Sequence, residues 1–147
     1  MGQSVLMVAW MASATPRLYD EPMAYILIVD DNLDFSNTVA KFLQKAGHEV
    51  ESVPNGREAL AHVLHRLPDV VVLDLLMPEM DGPSFLEVVR SYLRIQSLPV
   101  VVVTGLGDSP LVERARALKV NSILIKGKAS SEDVQKAVEE AAVRIPC

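Results

Sequence analysis

Four short apolar runs in the chain each stop on a reactive polar residue. Tyr25-Ile26-Leu27-Ile28-Val29 runs into Asp30-Asp31, Val70-Val71-Val72-Leu73 into Asp74, Val100-Val101-Val102-Val103 into Thr104, and Ile123-Leu124-Ile125 into Lys126. Continuous Val/Ile/Leu runs of this length are the pattern of strands covered on both faces. If they are parallel neighbours, their carboxyl ends share one edge of one sheet. One polar residue at a strand end merely marks where a buried strand meets water. Three carboxylates, a hydroxyl and an ammonium on one edge make a chemical site.

The segments between the runs are amphipathic. Phe35, Val39, Phe42, Leu43 and Ala46 recur at helical spacing, with Asp34 as N-cap or first-turn acid and Gly47 at the far end. A short strand is expected from His48 to Val53, then a Pro54-Asn55-Gly56 turn. Ala59, Leu60, Val63, Leu64 and Leu67 mark a second helix stopped by Pro68. Phe85, Leu86, Val88, Val89 and Tyr92 mark a third, entered at Pro83. Leu111, Val112, Ala115 and Leu118 mark a fourth, capped at Asp108 or Ser109. Val134, Ala137, Val138, Ala141 and Ala142 mark a fifth, capped at Ser130 or Ser131. Five strand–helix pairs predict an α/β fold, a single doubly wound parallel sheet with right-handed crossovers. Such sheets place their sites at the carboxyl ends of the strands.

Composition narrows the function classes. The 147 residues suffice for one domain with its own core, and the net charge of −5 argues against bulk attraction to nucleic acid or an anionic membrane surface. The single cysteine, Cys147, cannot form an intrachain disulfide, which fits a reducing, cytoplasmic setting. No apolar stretch reaches the ~18 residues of a membrane span. Val5 to Ala12 is apolar but lacks the preceding basic residues of a secretory signal. Residues 1–22 are therefore expected to be a disordered N-terminal extension, with the domain at 23–147 and Met23 a candidate start.

Asp30, Asp31 and Asp74 brought together repel unless neutralised, and a hard cation removes that cost. The absence of a neighbouring His or Cys argues against zinc, and His62 and His65 read as helix-surface residues. A carboxylate can act as a nucleophile and form an acyl phosphate, and Asp74 stands alone at the end of a central run. Lys126 and the Thr104 hydroxyl then suit the transferring oxygens. No Gly-x-x-x-x-Gly-Lys-Ser/Thr loop is present for a nucleotide, and a phosphatase with an aspartyl nucleophile would want an acid where Leu76 stands.

Ile28-Val29-Asp30-Asp31-Asn32, Asp74-Leu75-Leu76-Met77-Pro78-Glu79-Met80-Asp81-Gly82, Val103-Thr104-Gly105 and Ile125-Lys126-Gly127 together resemble the receiver domain of two-component response regulators, over about residues 24 to 144. The resemblance implies a flavodoxin-like five-stranded sheet in the order 2-1-3-4-5 flanked by five helices. It implies Asp74 as phosphoacceptor, charged by a sensor histidine kinase or a histidine phosphotransfer protein. It implies Mg2+ (or Mn2+) held by Asp31 and Asp74 directly, by Asp30 through water, and by the Leu76 backbone carbonyl. Thr104 and Lys126 would bind the phosphoryl group. The protein would be a signalling switch rather than an enzyme, acting on a downstream protein target, and a homodimer is open. Arg114, Arg116 and Lys119 give the expected output face some basic character. The chain would be a stand-alone receiver or a piece of a longer regulator or hybrid kinase.

Three departures from the family's pattern stand out. Gly127 occupies the usual place of a proline with a cis bond, which predicts a trans Lys126–Gly127 peptide. Ile123 replaces the usual Tyr or Phe, whose ring moves with the threonine. Leu76 and Leu106 would flank the phosphoryl group with apolar surface, which predicts a long-lived aspartyl phosphate. Gly127 and Ile123 also keep open an alternative: a pseudo-receiver, a binding module that is never phosphorylated.

Overall fold

A computed structural model describes residues 23–142. The 1–22 extension and Cys147 lie outside the described residues. Strands β1 (Tyr25–Val29), β2 (Glu49–Val53), β3 (Val70–Leu73), β4 (Val100–Thr104) and β5 (Ser122–Ile125) alternate with helices α1 (Leu33–Lys45), α2 (Gly56–His65), α3 (Gly82–Ser91), α4 (Pro110–Ala117) and α5 (Ser131–Ala141). All strands pair in parallel, in the order β2-β1-β3-β4-β5. The doubly wound sheet expected from the alternating pattern is therefore the fold.

Strand periodicity splits the core in two. Leu27, Val29, Val71, Leu73, Val100 and Val102 face α2, α3 and α4, meeting Ala59, Val63, Phe85, Leu86, Val89, Val112 and Ala115. Ile26, Ile28, Val70, Val72, Val101 and Val103 face α1 and α5, meeting Val39, Leu43, Val134 and Val138. Successive strand residues point to opposite faces, so a continuous apolar run supplies both layers at once. Each fully buried side chain of this size contributes about 1.5–3 kcal/mol of transfer free energy, against the conformational entropy of ordering the chain.

Every helix starts on a side-chain cap. Asn32, Asn55, Asp81, Ser109 and Ser130 accept from the backbone N–H of Phe35, Glu58, Ser84, Val112 and Asp133 respectively. Ser130 and Asp133 form a reciprocal capping box. The α1 cap is Asn32; Asp34 lies in the first turn, where its charge still favours the helix dipole. β2 starts at Glu49, one residue after His48. That histidine is buried, and its Nε2 lies 2.8 Å from Glu139 Oε2 of α5. α3 ends at Ser91, and Tyr92 turns extended and 45% exposed, so it is not a core residue.

At the far end of the sheet from the strand carboxyl termini, Arg90 joins two loops. Its guanidinium donates to the carbonyls of Leu118 (2.8 Å), Gln96 (3.0 Å), Leu98 (2.8 Å) and Lys119 (3.3 Å). Burial lowers its pKa, and the four carbonyls satisfy most of its donors. Among the described residues, no helix is long and apolar enough to cross a membrane.

Candidate functional site

The site is built by strand register. Val29 pairs with Leu73, and Asp74 N donates to the Val29 carbonyl at 2.9 Å, so Asp30 and Asp74 leave the sheet side by side. Thr104 pairs with Ile125, and Lys126 N donates to the Thr104 carbonyl at 2.8 Å, which places the lysine at the same edge. All the reactive residues that terminate apolar runs thus lie on one sheet edge.

One carboxylate oxygen each from Asp30, Asp31 and Asp74 lies within 4.8 Å of the others. Asp30 and Asp74 are buried and Asp31 is exposed, so the cluster opens to solvent on one side. Lys126 Nζ sits 2.7 Å from Asp30 Oδ2 and 3.4 Å from Asp74 Oδ2. The shorter contact is an ion pair without hydrogen-bond alignment, and Asp30 Oδ2 has no hydrogen-bond partner. Asp30 Oδ1 accepts from Asn32 N at 2.9 Å, and Asp74 Oδ1 from Leu75 N at 2.8 Å. These backbone donors orient both carboxylates and leave the other oxygens facing the cluster.

Burial pushes the Asp30 carboxyl pKa up, against the lowering by Lys126 and the Asn32 amide, and the Asp74 charge adds to the rise. Burial works against the Lys126 ammonium too, but contact with Asp30 and the field of both carboxylates outweigh it, and its pKa is raised. The pocket holds three carboxylates against one ammonium, an excess of negative charge. All its free donors are hard oxygens, the set a small divalent cation takes.

The Asp74 turn is held by close backbone packing. Gly82 N donates to the Leu75 carbonyl at 2.9 Å, and a Cβ at Gly82 would lie 2.7 Å from the Asp74 carbonyl oxygen. Leu75 and Met77 are buried, while Leu76 between them is 60% exposed. Thr104 is fully buried, and its Oγ1 accepts from Leu106 N at 3.2 Å. Leu106 and Ile123 are half-buried and pack on the α2–α4 face of the core.

No cis peptide occurs among the described residues, so Lys126–Gly127 is trans. Gly127 has φ +86°, and Lys128 N donates to the Ile125 carbonyl at 3.1 Å. That is a type II turn with glycine at its third position, a conformation proline cannot adopt.

The family model described as the response regulator receiver domain matches residues 26–139. The chain belongs to the response regulator receiver domain family. A response regulator, Rre1 of Synechocystis sp., is 40% identical over 88 residues, covering 59% of this chain and 38% of the relative. FilR2 of Methanothrix harundinacea, named a Probable methanogenesis regulatory protein, is 34% identical over 123 residues, covering 78% of this chain and 79% of that one. The chemotaxis response regulator CheY4 of Vibrio cholerae superposes with a TM-score of 0.74 at 31% identity, covering 81% of this receiver and 98% of that chain. The receiver spans well under half the length of the first curated relatives it matches, 38% and 28%.

Two features of this receiver escaped the sequence. The Phe35 ring lies beneath Lys126, with Nζ 4.5 Å from the ring centroid. A pairing so distant in sequence leaves no local trace, and Phe35 also fits the apolar periodicity of α1. His62 has a carboxylate neighbour, Glu51 Oε1 at 3.5 Å from Nδ1, which helical spacing alone could not show. The expected basic output face is largely self-neutralised: Arg114 pairs with Glu87 at 3.0 Å and Arg116 with Glu113 at 3.6 Å.

Proposed function

We propose that this receiver takes a phosphoryl group on Asp74 from a histidine kinase or histidine phosphotransfer protein and uses it to switch a protein-binding surface. The observation that carries the reading is the convergence of three carboxylates within 4.8 Å with Lys126 Nζ at 2.7 and 3.4 Å from two of them. A binding module that is never phosphorylated has no need to gather three carboxylates and an ammonium on one edge.

Asp30, Asp31, Asp74 and the Leu76 carbonyl would hold Mg2+ or Mn2+. When bound, the cation offsets the carboxylate repulsion and the charge of the incoming phosphoryl oxygens. A carboxylate oxygen of Asp74 attacks the phosphorus of a phosphohistidine. The P–N bond breaks with its electron pair staying on the imidazole, and an acyl phosphate P–O bond forms. Lys126 pairs with the phosphoryl oxygens, giving up part of its hold on Asp30. Thr104 donates its hydroxyl to one of those oxygens, and Leu106, whose N–H binds Thr104 Oγ1, carries the β4–α4 loop with it. The ordinary aromatic relay is absent at Ile123, so the half-buried aliphatic contacts of Leu106 and Ile123 on the core transmit the change. The chain acts as a phosphoacceptor rather than as an enzyme with a substrate pocket.

The test is the rate of phosphorylation by a small acyl phosphate in Mg2+ and in chelator, for wild type, Lys126→Ala and Thr104→Ala. Metal-dependent labelling that both substitutions slow supports the reading. No adduct from any donor returns the chain to a binding module.

A further inference from the structure

We infer that Phe35 is a positioning residue for the phosphorylation reaction: its ring is the platform that holds the Lys126 ammonium over the site once the lysine releases Asp30. The inference rests on the function proposed above.

Three observations carry it. The ammonium lies 4.5 Å from the Phe35 centroid, within cation–π range, while its side chain is only 20% exposed. Strand register and the type II turn place the lysine backbone at the sheet edge but do not fix its long side chain, whose aim is left to its own contacts. The ring, by contrast, is anchored. Phe35 N donates to the capping Asn32 side chain at 3.0 Å, and the side chain packs against the α1–α5 face of the core.

The need for such a platform follows from the carboxylates. Asp30 Oδ2, 2.7 Å from Lys126 Nζ, belongs to the carboxylate cluster that a bound cation's shell would also engage. Two cations cannot share it closely. When the lysine leaves Asp30, the Asp74 carboxylate at 3.4 Å and the Phe35 ring at 4.5 Å are still beside it. A ring face attracts the ammonium without competing for its hydrogen-bond donors, so all three stay free for phosphoryl oxygens. Leucine at the same place would keep the packing and lose the attraction.

The experiment compares Phe35→Leu and Phe35→Tyr with wild type, each verified as folded by urea denaturation. Phosphorylation by a small acyl phosphate at saturating Mg2+ is expected to fall about fivefold in Phe35→Leu, the size of one partly buried cation–π contact. Phe35→Tyr keeps the wild-type rate, and Phe35→Leu costs nothing further in a Lys126→Ala background. The second readout is NMR: the Lys126 ε-methylene protons are ring-current shifted upfield in wild type, with and without Mg2+, and lose the shift in Phe35→Leu. A wild-type rate in Phe35→Leu, an equal loss in the Lys126→Ala background, or disappearance of the shift on adding Mg2+ overturns the inference. If wild type accepts no phosphoryl group, the proposed function fails instead, and the NMR comparison still decides whether the ring holds the lysine.

Discussion

Gly82→Ala is the substitution that most sharply connects packing to the site. A Cβ there would lie 2.7 Å from the Asp74 carbonyl oxygen, 2.8 Å from Leu75 Cα and 2.9 Å from Leu75 Cδ2. The first two are backbone atoms and cannot rotate away, so α3 or the Asp74 turn must move. Overpacking of this kind costs about 1–3 kcal/mol. Alanine returns up to about 1 kcal/mol by restricting the unfolded chain. With two backbone clashes at once, a net loss of about 2 kcal/mol is expected, a Tm drop of roughly 8 °C for a domain of this length. The displaced turn carries Asp74, so phosphorylation by a small acyl phosphate slows in the same protein. Gly105→Ala is the control, because nothing lies within 4 Å of its Cβ. Urea titrations of the three proteins give the stabilities. If Gly82→Ala is as stable as Gly105→Ala and labels at the wild-type rate, the close approach does not position the acceptor.

Gly127→Ala meets no atom within 4 Å but must hold φ +86°, so a loss of about 1–2 kcal/mol from left-handed backbone alone is expected in urea titration. A Gly127→Ala protein as stable as wild type would contradict the type II turn. Glu139 has its carboxyl pKa lowered by the hydrogen bond from His48 and then by that from Gln135, so its contribution to stability is present above its usual value of 4.5 and lost as pH falls below it. Glu139→Gln is therefore expected to flatten the acid limb of the stability curve in urea titrations across pH, and an unaltered limb refutes the contribution. Replacing Leu76 by Asn and Leu106 by Glu should shorten the aspartyl phosphate lifetime severalfold, the order of one polar group helping a water. An unchanged decay rate refutes the protective role of the two leucines.

The sheet was legible because burial on both faces leaves no alternative to a continuous apolar run. β1, β3 and β4 carry that pattern, and the reactive residues at the strand ends inherit their places from parallel register. Local rules served less well where two residues could do one job. Asn32 and Asp34 are both capping types, and only the turn after Asp30 selects Asn32. Tyr92 continues the helical spacing, but the backbone turns extended there, so periodicity overran the helix by a residue. Leu64 and Leu67 fit the α2 stripe yet are 53% and 48% exposed, since Leu64 turns away from the buried Val63 and Leu67 lies beyond the helix end at His65. Contacts between distant segments were invisible: the ring of Phe35 under Lys126, the His48–Glu139 pair, and the carbonyls gathered by Arg90. Each depends on side-chain direction after folding, which spacing does not encode.

Two of the three departures from the family's pattern fall around one strand, while the third, Leu76 with Leu106, lies on the loops after β3 and β4. Ile123 lies on β5, and Gly127 follows it in a turn that proline could not make. The residues proposed to capture the phosphoryl group lie at the ends of β1, β3 and β4, with Lys126 following β5.

Asp74 is the acceptor in the proposed reaction. Mass measurement of the intact chain and of its peptides, after exposure to a small acyl phosphate with Mg2+, tests it directly. One phosphoryl group per chain, on the peptide bearing Asp74 and absent from Asp74→Asn, is the expected result. An adduct that persists in Asp74→Asn, or that maps to another residue, rules Asp74 out as the acceptor.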